Sequence, residues 1–123
     1  MKASGYIPVE RGDRKKAYEA FNKTLKKIKE GCSLIIFPEG TRSEDGTIGP
    51  FKKGSNLIAS RSKSPMVPIT IIGSRDIIKK GSFSITPGLI RVVISPPIEP
   101  SADKKANAEV LQTIRETIIS QHH

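Results

Sequence analysis

Residues Phe37-Pro38-Glu39-Gly40-Thr41-Arg42-Ser43 set a carboxylate, a glycine, a hydroxyl, a guanidinium and a second hydroxyl in direct succession. That order suits an anion site at the end of a strand. Gly40 removes the side chain where the backbone must come close to a ligand or a neighbouring segment. Backbone N–H groups at such a turn can form an anion-binding concavity. Arg42 supplies a planar fork matched to phosphate, and Thr41 and Ser43 add donors. Lys52 and Lys53 follow one loop later and can close around the same anion, while Arg11 offers a second guanidinium from an earlier strand end. On residue chemistry alone, a solvated turn with an incidental arginine stays open beside the phosphate site.

The helices and strands that would carry these groups follow from hydrophobic periodicity. Tyr6, Ile7 and Val9 form a short extended run ending at Glu10-Arg11, and Gly12-Asp13 breaks it, with Asp13 as the N-cap of a helix. From Arg14 to Glu30 the apolar positions 17, 18, 21, 25 and 28 have helical spacing, and Lys15, Lys16, Lys23, Lys26, Lys27 and Lys29 occupy the other face. Ser33 to Phe37 reads as a strand buried on both faces, the parallel-sheet type, with Cys32 as a small core residue before it. Residues 38–50 are a loop with a turn at Asp45-Gly46. Phe51 to Arg61 is weakly helical. Met66 to Ile72 is an apolar run that Pro68 restricts to a sheet edge or a strand start. A polar connection covers 73–82, a short strand is expected at Phe83 to Ile85 and a better one at Leu89 to Ser95. Pro96, Pro97 and Pro100 forbid helix until Ser101, the expected N-cap of a last helix over about 102–119 with its apolar stripe at 106, 110, 111, 114 and 118. Strands alternating with helices predict a single α/β domain over 1–123, with a mainly parallel sheet and flanking helices. Ligands of such sheets sit beyond the carboxyl ends of the strands, where Arg11 and the 37–43 turn are found.

Composition narrows the functional classes. The chain has 123 residues, 21 Lys+Arg against 12 Asp+Glu and a formal net charge of +9. The excess points to anionic partners. No apolar stretch approaches the ~18–20 residues needed to span a bilayer. One cysteine excludes an intramolecular disulfide and a cysteine-based zinc site, and fits a reducing compartment. Six aromatic residues, four Phe and two Tyr, argue against base stacking on single-stranded nucleic acid. Residues 49–56 imitate a phosphate-binding P-loop but place Ser55 where the lysine is needed. The lysine face of the first helix has two readings: a solvated surface, or a contact with anionic headgroups worth about 1 kcal/mol per basic residue near the surface.

The heptapeptide at 37–43 resembles the third signature block of the glycerolipid acyltransferases, the family of 1-acyl-glycerol-3-phosphate and glycerol-3-phosphate acyltransferases. Three further stretches agree in order and spacing. Gly5 to Arg11 resembles the second block, Phe51-Lys52-Lys53-Gly54 the segment after the third, and Met66-Val67-Pro68-Ile69 the fourth. The resemblance implies a glycerol-3-phosphate acyltransferase-like fold. It implies that Arg11 and Arg42 bind the acceptor phosphate, that Glu39 and Gly40 shape the acceptor site, and that Pro68 helps to position the wall of the donor site. The implied reaction moves an acyl chain from acyl-CoA or acyl-carrier protein to a hydroxyl of lysophosphatidic acid or glycerol phosphate. It uses no metal or redox cofactor, and it implies a peripheral protein on the cytoplasmic side of an anionic membrane surface, with no nucleic-acid partner.

One family feature is missing. The first block is a His-x-x-x-x-Asp pair whose His acts as general base, and the only histidines here are His122 and His123. These two read as a tag remnant or frayed end rather than a site. The chain is therefore expected to be the C-terminal part of an acyltransferase domain, cut after the first block, and to be inactive alone. The alternatives are a non-catalytic relative that binds anionic phospholipid or a partner protein, and a basic nucleic-acid-binding module.

Overall fold

The computed structural model describes residues 12–101 and 103–122. The 5–11 segment with its extended run and Arg11, and also Ala102 and His123, lie outside the described residues. The chain divides into two compact units, with the division between Ile35 and Ile36.

The first unit is built on helix α1, Arg14–Lys29. Asp13 caps it as expected: its carboxylate accepts the N–H groups of Lys15 and Lys16 at 3.0 and 3.1 Å. Lys26, Lys27 and Lys29 lie in the last turn, where cations complement the carbonyl end of the helix. The buried residues are Ala20 and Thr24, with the Thr24 hydroxyl returned to the Ala20 carbonyl at 2.8 Å. Ala17, Phe21 and Ile28 flank them. Tyr18 was expected in the apolar stripe but is 65% exposed, because it stands about 100° round the helix from Ala17. All six lysines of the polar face are exposed.

Ser33 to Phe37 departs from expectation. The segment has no strand pairing among the described residues, and Ile35 and Phe37 are 77% and 70% exposed. Cys32 is exposed rather than in a core. A buried strand needs ladder partners on both sides, and no described residue supplies one here.

The second unit carries helix α2 (Lys53–Ser62), strand β1 (Ile69–Ile72), a single turn α3 (Ser74–Ile77), strand β2 (Arg91–Ile94) and helix α4 (Lys104–Gln121). Helix α4 packs against both α2 and β1, with Ile114 and Asn107 buried on its inner face. The stripe predicted at 106, 110, 111, 114 and 118 is buried or half-buried. The cap is Asp103, whose carboxylate accepts Lys105 N–H at 3.2 Å; it replaces the expected Ser101. Ser101 instead donates its backbone N–H to the buried Asn107 at 3.0 Å.

The sheet formed by the described residues has two strands, and they are antiparallel, with Ile69 opposite Ile94 and Ile72 opposite Arg91. A mainly parallel sheet was expected. The crossover of a parallel pair is usually a packed helix that carries the chain back along the sheet, and the 73–90 connection contains only the four-residue α3. It doubles back so tightly that a Cβ on Gly73 would collide with the Leu89 carbonyl. Phe83 to Ile85 forms no strand, and Phe83 is fully exposed. Pro68 stands just before β1, as predicted: its carbonyl accepts Ser95 N–H at 2.9 Å. Beyond it the ladder shifts by one residue to the Met66–Ile98 bridge, at Pro96 and Pro97, which have no N–H to donate.

The inner face of β1 carries Thr70, which is 1% exposed and whose Oγ1 has no hydrogen-bond partner among the described residues. Ile69, Ile71, Val92 and Ile94 lie on the outer face, all exposed. An unpaired buried hydroxyl costs free energy that an isosteric methyl does not. Thr70→Val is therefore expected to raise stability by about 1 kcal/mol in denaturant titrations; a loss of stability would show that the hydroxyl is satisfied in solution.

Candidate functional site

The loop from Pro38 to Lys52 is closed at its neck. Lys52 N–H donates to the Pro38 carbonyl at 2.7 Å, and Gly40 N–H donates to Phe37 at 3.0 Å, which makes the chain turn at once after Phe37. Glu39 turns inward, and its carboxylate accepts Gly49 N–H at 2.8 Å. Arg115 of α4 reaches the same stretch, donating to the carbonyls of Ile48 and Gly49 at 3.3 and 3.4 Å. Loops whose ends are tied together in this way hold their shape through their own side chains.

Gly40 is required at the turn. It sits at φ +68°, and a Cβ there would lie 3.1 Å from Cγ of Lys52. The lysine stem therefore lies over the glycine, and Lys52 is brought to the turn as expected. Lys53 instead opens α2. Thr41 and Arg42 are exposed and, with Ser43, line an open depression of about 240 Å³. Glu39 and Gly49 form part of its wall. Pro68 is buried at the foot of β1 and is not among the residues that line it. Arg11, the proposed second guanidinium, lies outside the described residues. Among the described residues, no cluster of His, Cys, Asp or Glu has the makings of a metal site.

Asp45, read from sequence only as part of a turn, and Arg75 and Lys80, not singled out at all, add to this region. Asp45 accepts from the Thr47 N–H at 2.9 Å, the Thr47 hydroxyl at 2.7 Å and the Ser43 hydroxyl at 3.0 Å. Ser43 Oγ in turn accepts Gly46 N–H at 2.8 Å. The Ser43 hydroxyl, read from sequence as a donor to the anion, is thus already committed within the loop. The Thr47 hydroxyl, then the Thr47 N–H and the Ser43 hydroxyl, hold the Asp45 carboxyl down at about 2. The Asp-x-Thr spacing is a known turn former and could have been read in the sequence. The other two are Arg75 and Lys80, from the connection after β1. Arg75 donates to the Glu44 carbonyl at 2.8 Å, and Lys80 Nζ meets the Glu44 carboxylate at 2.6 Å. The hydrogen bond from Lys80, then its charge, keeps the Glu44 carboxyl below the usual range. No local pattern joins residues 31 and 36 positions apart.

Residues 1–72 match the profile of the acyltransferase family. A chloroplastic 1-acyl-sn-glycerol-3-phosphate acyltransferase of Brassica napus is 41% identical over 80% of this chain, and that match covers 29% of the relative. The Saccharomyces cerevisiae 1-acyl-sn-glycerol-3-phosphate acyltransferase is 30% identical over 97% of the chain and is covered to 41%. The chain thus spans well under half the length of these curated relatives. The crystal structure of the Thermotoga maritima 1-acyl-sn-glycerophosphate acyltransferase superposes with a TM-score of 0.71 at 33% identity, covering 82% of this chain and 45% of that one. The likeness therefore extends to the fold.

The Asp45 network carries a pH signature. Its carboxyl is depressed in the folded loop relative to about 3.9 when free. Its contribution is therefore complete above about pH 4 and lost as pH falls towards 2. In a carboxyl NMR titration, Asp45 is expected to titrate near 2 and Thr47→Val to move the midpoint up; an unchanged midpoint would remove the Thr47 hydroxyl from the network.

Proposed function

The chain belongs to the acyltransferase family, and from that membership we propose that it supplies the acceptor-phosphate site of a 1-acyl-glycerol-3-phosphate acyltransferase. The observation that carries the reading is the turn itself. Gly40 in its left-handed conformation, with Lys52 laid against it, presents Thr41 and Arg42 at the rim of an open depression. The named relatives that match this chain support the choice of acceptor.

In this reading Arg42 grips the acceptor phosphate as a planar fork, helped by Thr41 and the Lys52 ammonium, with Arg11 as a second guanidinium. Glu39 acts through the loop: by holding Gly49 it keeps the turn closed. Gly40 leaves room for Lys52, and Pro68 starts the strand beside the donor site. The acceptor hydroxyl oxygen attacks the thioester carbonyl carbon of acyl-CoA or acyl-carrier protein. A base takes its proton, the C–S bond breaks, and the thiol leaves protonated. No metal or redox cofactor takes part. These 123 residues contain no His-x-x-x-x-Asp pair, so the base comes from outside them. In this reading Ser33 to Phe37 is a strand of a mainly parallel sheet in the longer protein, and residues 1–123 are part of a single acyltransferase domain. The lysine face of α1 rests on the anionic cytoplasmic surface of the membrane, where the acceptor resides.

Two outcomes test this. In the full-length protein, Arg42→Ala is expected to lower kcat/KM for lysophosphatidic acid about 10- to 100-fold, the scale of one lost charge-assisted contact, and unchanged kinetics would refute the assignment. The 123-residue chain alone is expected to show no transfer above background, since loss of a positioned base costs about 10²- to 10⁴-fold; measurable turnover would place the base within it.

A further inference from the structure

We propose that Lys80 is a further phosphate ligand of this depression, and that Glu44 is a resident counter-ion which the substrate phosphate displaces. The inference rests on the phosphate-site reading above and adds a residue and an exchange to it.

Lys80 reaches the signature loop from 36 residues away and lines the same depression as Thr41 and Arg42. Its ammonium is held by the Glu44 carboxylate at 2.6 Å, with the two side chains 41% and 79% exposed. An exposed pair of this kind is weakly held, so a better anion can take the lysine. A phosphate is such an anion, with more charge and three acceptor oxygens.

The carboxylates around the depression differ in what holds them. Glu39 is occupied by the Gly49 N–H, and Asp45 by Thr47 and Ser43. Both are tied into the loop by groups of the loop itself. Glu44 is the carboxylate of the three that is held by a lysine ammonium from outside the loop. Its backbone does not depend on that pair, because Arg75 independently fixes the Glu44 carbonyl at 2.8 Å and its Cδ lies 3.3 Å from where a Cβ on Gly46 would stand. The Glu44 side chain can therefore swing away while the loop keeps its shape. An entering phosphate meets Lys80 as a ligand and Glu44 as a like charge that competes for it.

This arrangement makes the two partners act in opposite directions, which a purely structural ion pair does not. The test uses the full-length protein and inorganic phosphate, measured by calorimetric titration, with melting temperatures to confirm folding. Lys80→Met is expected to weaken phosphate binding about 3- to 10-fold and Glu44→Gln to tighten it by a similar factor. In the Lys80→Met background, Glu44→Gln should have a smaller effect. Kinetic arms identify the phosphate: a raised KM for lysophosphatidic acid assigns Lys80 to the acceptor, a raised KM for acyl-CoA assigns it to the donor. If both single variants shift phosphate binding in the same direction, or neither shifts it, the inference is overturned. Phosphate binding is read without acyl transfer, so a protein that binds phosphate through Lys80 but transfers no acyl group would fail the functional reading and leave this one standing.

Discussion

The closure of the 38–52 loop at its neck is the constraint on which the rest of the site depends. One backbone hydrogen bond, from Lys52 to Pro38 at 2.7 Å, brings the end of the strand-like segment and the start of α2 together. With the ends fixed, the interior needs few further ties: Glu39 to Gly49, Asp45 to Ser43 and Thr47, and Arg115 from α4 to the carbonyls of Ile48 and Gly49. Each uses a polar group that a loop would otherwise have to leave to water. A loop held by its own hydrogen bonds keeps one shape, and preorganisation of this kind lowers the ordering cost of any binding event.

The same economy explains the division of labour among the polar residues. Groups that shape the loop are satisfied within it: Glu39 and Ser43 are half-buried, and the exposed Asp45 is held by Ser43 and Thr47. Arg42 and Thr41 face solvent at the rim. A turn with several hydroxyls and carboxylates thus becomes two sets, one structural and one directed at solvent, and the split is made by Gly40. Its positive φ lets the chain reverse direction between Glu39 and Thr41. In the family to which the chain belongs, this turn lies within the residues that match the family profile.

The small core of the second unit has a different character. Thr70, Asn107 and Ile114 are buried, whereas Ile69, Ile71, Val92 and Ile94 of β1 and β2 lie on the exposed face. Burial of apolar area is the main favourable term in folding, and here much of the aliphatic surface of the hairpin contributes none. Helix α4 supplies the cover for the inner face only.

The elements decided by local rules were legible in the amino-acid order. Asp13 as a helix cap, α1, α4 with its stripe, the strand start after Pro68 and the turn around Gly40 follow from spacing, capping and backbone restriction, which act over a few residues. The meeting of Gly40 and Lys52 at the turn was legible for the same reason, as was family membership from the heptapeptide. The features that sequence left open involve partners distant along the chain. The antiparallel sense of β1 and β2 depends on how the 73–90 connection doubles back. The exposure of Ser33 to Phe37 depends on which strands are present to pair with it. Glu44 meets Arg75 and Lys80, and Arg115 meets the loop, across tens of residues that no periodicity links. Sequence patterns record what a residue does with its near neighbours, whereas pairing and charge contacts are settled by where the fold carries each segment.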